Sequence, residues 1–99
     1  MTIAETIQKF ESISQDIVES LRLGDGLIGK SFIECQQLLE SIVRQLEGET
    51  QLPKNLAYAI QVLRDNFIGA LSSYSGTERE AIARANSYLD EAIERLLLG

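Results

Sequence analysis

Residues Phe32 to Leu46 read FIECQQLLESIVRQL. Phe32, Ile33, Cys35, Leu38, Leu39, Ile42, Val43 and Leu46 are apolar. On a helical wheel they sweep an arc of roughly 220°, against the ≳100° stripe of an ordinary surface helix. A helix with so wide an apolar arc needs neighbours on several sides. The stretch therefore predicts an all-α protein, with this helix at its centre or at a seam between two copies.

The flanking sequence supplies three more helices. Thr2-Ile3-Ala4-Glu5 has the form of a capping box, in which hydroxyl and carboxylate each satisfy one orphan amide. It opens a first helix from Thr2 to about Leu23, with Ile3, Ile7, Phe10, Ile13, Ile17, Val18 and Leu21 on one stripe. Lys9, Glu11, Asp16, Glu19 and Arg22 fall mostly on the other side and read as a solvated face. Gly24 suits the left-handed position after a last helical turn. Leu27 and Ile28 are expected to tuck over the bundle end. Ser31-Phe32-Ile33-Glu34 reads as a second capping box, starting the next helix at Phe32 and leaving Gly48 to end it. After a polar linker, Glu49 to Leu52, Pro53 suits the first turn of a third helix. Its inner face carries Leu56, Ala59, Ile60, Leu63, Phe67, Ala70, Leu71 and Tyr74. Ser75-Gly76 is a tight turn, and Thr77 to Glu80 a third capping box. The fourth helix then presents Ala81, Ile82, Ala85, Tyr88, Leu89, Ala92, Ile93 and Leu96, and runs to Gly99. Glu91 and Arg95 are spaced to pair on its surface.

The short turn at Ser75-Gly76 makes the third and fourth helices antiparallel. Gly69 and Ala70 should then face Ala81 and Ile82, and Ala59 should face Ala92. Small residues opposite small residues predict close axes. Close packing, or else a mild bend, would explain a glycine at position 69. The four stripes and short connections predict a single-domain, four-helix up-down bundle made of two antiparallel helical hairpins.

Acidic residues outnumber basic ones 15 to 9 in a chain of 99, giving a formal charge of −6. Such a field repels nucleic-acid phosphates and anionic lipid, so neither nucleic acid nor membrane is expected as a partner. Arg79 and Arg84 are the densest basic cluster. The opening MTIAETIQKFE lacks a signal-peptide pattern, and no apolar run approaches the ~20 residues of a membrane span. The single cysteine, Cys35, leaves no internal disulfide and fits a reducing, cytoplasmic setting. There is no histidine, the commonest general base and metal ligand. The carboxylates do not fall into a pattern that specifies a metal, and no cofactor is expected. Cys35 reads as an inert core thiol.

Gly24-Asp25-Gly26-Leu27-Ile28-Gly29-Lys30-Ser31 fits G-x-x-x-x-G-K-[ST]. Over those 8 of 99 residues the chain resembles the Walker A loop of nucleoside-triphosphate hydrolases. The resemblance implies Lys30 on the β- and γ-phosphates and Ser31 on magnesium. The family's loop follows a strand, whereas this one follows an amphipathic helical pattern. The residues themselves therefore read as an interhelical loop and an N-cap serine. A narrower expectation is a lone anion at a helix N-terminus, held by Gly29, Lys30 and Ser31.

Apolar residues outside the inner stripes form a second set. Tyr58 lies off the inner face of its helix, one turn from Val62, so the two predict a contact patch. Ile33, Leu38 and Val43 widen the second helix, and Leu97 and Leu98 extend the fourth beyond its stripe. Leaving a leucine exposed forfeits ~1.5–3 kcal/mol of burial. Two-fold self-association is the simplest way to cover such a surplus. The expectation is a non-enzymatic protein-interaction module, a homodimeric adaptor or regulatory protein, using Ile33, Leu38, Val43, Tyr58, Val62, Leu97 and Leu98. The alternative is a small-ligand or anion sensor built on the Gly24–Ser31 loop.

Overall fold

The structure is a computed structural model and describes residues 1–98; the expected end of the fourth helix at Gly99 lies outside them. It is an all-α, four-helix up-down bundle of two antiparallel hairpins, 39 × 24 × 20 Å in extent. The helices are α1 (Ile3–Arg22), α2 (Gly29–Gln45), α3 (Lys54–Ala70) and α4 (Gly76–Leu98).

Thr2 caps α1 as its sequence predicts: Glu5 N–H donates to Thr2 Oγ1 at 3.2 Å, and Thr2 N–H donates to Glu5 Oε1 at 3.2 Å. The far end closes in a Schellman motif. Asp25 N–H reaches Ser20 O at 2.9 Å and Gly24 N–H reaches Leu21 O at 3.3 Å, with Gly24 at φ 81°.

The other starts differ from the sequence reading. α2 begins at Gly29, with Ile28 in the cap position and no side-chain cap, so the expected Ser31–Glu34 box does not form. Ser31 lies inside the first turn, because the loop before it is held by contacts to α4 and turns into helix at once. Pro53 stands one residue ahead of α3 and contributes its carbonyl to Ala57 N–H at 3.1 Å. α4 already begins at Gly76, which puts Thr77 within its first turn rather than at its cap. Leu71 and Tyr74 lie beyond the end of α3, half-buried in the turn.

Every helix gives its stripe to one core. Phe10 and Ile17, Leu39 and Ile42, Leu56, Leu63 and Phe67, and Ile82 and Leu89 are all fully buried. Each such side chain contributes ~1.5–3 kcal/mol of apolar transfer energy. Phe32 stands edge-on to Phe67 and to Tyr88, both at 6.1 Å between ring centroids. That geometry suits the aromatic quadrupole.

The packing places α1 against α2 and α3, and α4 against α3 and α2. α1 and α4 therefore sit on one diagonal, α2 and α3 on the other. α2 occupies a corner, not the centre, and meets α3 across the core through Phe32 and Phe67. The 46–53 connection crosses the bundle end between diagonal corners. It is less polar in role than its composition suggests, since Leu46 and Leu52 pack against the core.

This arrangement sets α1 and α3 side by side and parallel. Asn55 Nδ2 donates to Glu11 Oε1 at 2.9 Å, and Arg22 Nε donates to Asn66 Oδ1 at 3.1 Å. Both contacts join residues 44 apart in sequence, which fixes the register along the whole seam. α2 and α4 are likewise parallel. Tyr88 Oη donates to Gln36 O at 3.2 Å and to Glu40 Oε1 at 3.0 Å, and Arg95 Nη1 meets Glu40 Oε1 at 2.7 Å. Arg95 thus reaches across to α2 instead of pairing with Glu91 on its own helix. Arg64 and Asp90 join the antiparallel pair α3 and α4 at 3.1 Å.

Ala70, Ala85 and Ala92 are buried, as small residues in the inner faces should be. Gly69 is not part of that packing. It is exposed, and a Cβ built on it meets nothing within 4 Å. No close helix approach depends on it.

Candidate interaction face

The Walker-like loop connects α1 to α2 and is tied to the second hairpin by hydrogen bonds. Gly26 N–H donates to Tyr74 Oη at 3.0 Å, and the same hydroxyl donates to Leu21 O at 3.0 Å. Leu27 N–H donates to Glu78 Oε1. A carboxylate of the chain itself therefore sits on a loop amide that a phosphate would need. Gly26 is left-handed, at φ 83°, and a Cβ there would come within 2.5 Å of Glu78 Oε1. The element before the loop is α1, not a strand. Gly29 and Lys30 are exposed in the first turn of α2, and Ser31 is half-buried beside them. Leu27 tucks against the core as expected, while Ile28 stays 49% exposed. Sequence reading missed both structural partners, because Glu78 looks like a first-turn acid and Tyr74 like an inner-face aromatic.

Cys35 is buried on α2. Burial pushes its thiol up to about 12; the nearby Ser14 hydroxyl offsets part of the rise and Glu34 adds to it. Ser14 Oγ is itself buried without a partner in hydrogen-bonding geometry. A thiol so placed holds almost no thiolate at neutral pH, the form that attacks or binds metal. Among the described residues, no group of three His, Cys, Asp or Glu side chains could hold a metal ion. Among them, too, no helix is long and apolar enough to cross a membrane.

The surplus apolar residues separate into different places. Val43 is 6% exposed, a core residue and not a surface one, because the corner position of α2 turns that side inward. Leu38 is half-buried against the core. Ile33 is 55% exposed on α2. Leu97 lines a furrow of about 380 Å³ between α3 and α4, with Leu52, Ile60 and Ile93, and Leu98 is exposed at the helix end.

Tyr58 and Val62 are brought together, and with more than each other. They form one wall of a groove of about 560 Å³ along the α1/α3 seam. Ala59 of α3, Ser14, Gln15, Val18 and Glu19 of α1, and Leu23 just past its end line the rest, with Glu11 at one end and Arg22 at the other. Tyr58 stands 71% exposed at this wall. A second hollow of about 440 Å³ continues the seam past Arg22 to Gly69 and Tyr74.

The groove differs from the other two seams that carry polar bridges. Arg95–Glu40 closes α2/α4 and Arg64–Asp90 closes α3/α4. At α1/α3, Glu11 and Arg22 are each held by a neutral asparagine instead. Among the described residues neither has an ionic partner. What this face can do chemically is present a partly apolar groove flanked by Glu11 and Arg22, with a second acid, Glu19, on its wall.

Comparison of the chain with protein-family models, with curated proteins and with solved structures finds no match to any of them.

Proposed function

We propose that the chain is a non-enzymatic interaction module, a homodimeric adaptor or regulatory protein of the cytoplasm. The observation that carries this reading is the α1/α3 groove, where an exposed tyrosine and a half-buried valine meet Val18 of α1 and Leu23 just past its end. Aromatic anchors set in apolar hollows are where binding energy concentrates in protein interfaces. The acidic charge supports a protein partner over nucleic acid or an anionic membrane. The same reading treats the thiol and carboxylates as structural. Cys35 is buried, Glu78 serves the loop, and Glu40 serves the α2/α4 seam. Ligand binding by Gly24–Ser31 gains no support from the engaged amides of Gly26 and Leu27.

Sedimentation velocity across the micromolar range tests the proposal. The expected result is a concentration-dependent species of twice the mass of one chain. A single-chain mass at every concentration would remove self-association from the account.

A further inference from the structure

We infer that the α1/α3 face is the self-association surface, and that the two copies meet antiparallel, α1 against α1 and α3 against α3. The two-fold axis lies in the interface plane and crosses between residues 16 and 17 of α1. This inference rests on the self-association proposed above and names its site and symmetry.

Two charged side chains mark the ends of the groove. Glu11 and Arg22 lie on the same helix, three turns or ~16 Å apart. Each is oriented by an asparagine of α3, and among the described residues neither lies within salt-bridge distance of an opposite charge. An antiparallel second copy sets Glu11 opposite Arg22 of its partner, and Arg22 opposite the partner's Glu11. One symmetry operation thus forms two ion pairs across the interface.

An independent coincidence supports the same axis. The α1–α3 register of 44 carries the midpoint of Glu11 and Arg22 to between residues 60 and 61 of α3. Tyr58 and Val62 straddle that level. The axis that pairs the charges therefore also lays each Tyr58 over the Val62 hollow of the other copy. Along α1 it sets Gln15 opposite Val18 and Ser14 opposite Glu19, so the second acid of the groove faces a hydroxyl. Charge complementarity of this kind fixes register and suppresses wrong pairings. The molecule measures 39 × 24 × 20 Å, so its long side has room for roughly the 800 Å² per partner of a standard interface.

Charge exchange tests the inference directly. Glu11→Arg and Arg22→Glu, made separately, each put two like-charge pairs into the homodimer. Each should weaken it by about tenfold or more, and Tyr58→Ser should weaken it similarly. Mixing the two charge variants restores both opposite pairs, so a heterodimer of near-native affinity should form. Glu91→Arg, an equal charge change on an exposed part of α4, should leave the dimer unchanged. All four positions are surface ones, and circular dichroism checks that each variant is folded. A native dimer that tolerates the single exchanges, or variants that fail to pair on mixing, would overturn this surface while leaving self-association standing. A native chain that never dimerises would instead remove the proposal beneath it.

Discussion

Gly69 occupies a helical position on the exposed side of α3 with open space where a side chain would be. Its φ is not in the left-handed region. Glycine costs up to ~1 kcal/mol in a helix relative to alanine, through backbone entropy in the unfolded chain. Gly69→Ala should therefore stabilise the protein by ~0.5–1 kcal/mol, which in a domain of this size raises the melting temperature by a few degrees. Calorimetry checks the sign: a lower melting temperature would mean that the second hollow of the α1/α3 seam needs the space that the added methyl fills. Glu40 is a different case. The Arg95 guanidinium, hydrogen-bonded to its carboxylate, holds it below the usual range, and the Tyr88 hydroxyl adds to the effect. A glutamate lowered in the folded state contributes stability in full above its unfolded value of ~4.3. That contribution is lost as pH falls through the lower, folded value. Glu40→Gln should thus remove a few tenths of a kcal/mol near neutrality, a small effect because the ion pair is partly solvated. The difference from the native chain should vanish in acid. Urea midpoints measured across that range decide the matter, and a difference that grows in acid would contradict the assignment.

At the scale of elements, the lock between the hairpins is a tyrosine and a glutamate acting on one loop. The Tyr74 hydroxyl accepts from Gly26 and donates to Leu21 O. Tyr74→Phe keeps the ring but leaves the buried Gly26 amide without an acceptor. The expected cost is ~1–2 kcal/mol, with faster hydrogen exchange at Gly26 and Leu27 than in α2. Unchanged exchange there would show that the loop is held by something else. The helices themselves were legible from periodicity, and Thr2 capped where its sequence said. Their other starts were not: Ser31 and Thr77 fit a local capping pattern, yet α2 begins at Gly29, behind a loop that Glu78 of α4 holds, and α4 begins at Gly76. The loop shows the same limit. Its eight residues match a phosphate-loop spacing, but spacing does not reveal that Glu78, 51 residues from Leu27, supplies the anion. Long-range partners leave no local signature.

At the scale of the molecule, the connection between α2 and α3 runs between diagonal corners, and this makes α1 and α3 parallel neighbours. Sequence periodicity predicted four antiparallel stripes, and it singled out Tyr58 with Val62 as a patch. It gave no sign that α1 would complete that patch, since adjacency around the bundle is set by the diagonal crossing. Val43 was read as surplus for the same reason. The wheel counts apolar positions, but only the packing tells which side of a corner helix faces inward. The face that results is the centre of the functional account. Backbone amide NMR spectra, followed from low to high micromolar concentration, test it most directly. The account predicts shifts confined to α1 and α3, strongest around Gln15, Val18, Tyr58 and Val62, with the outer faces of α2 and α4 still. Shifts centred on Ile33 or on Leu97, accompanying a doubled mass, would contradict it.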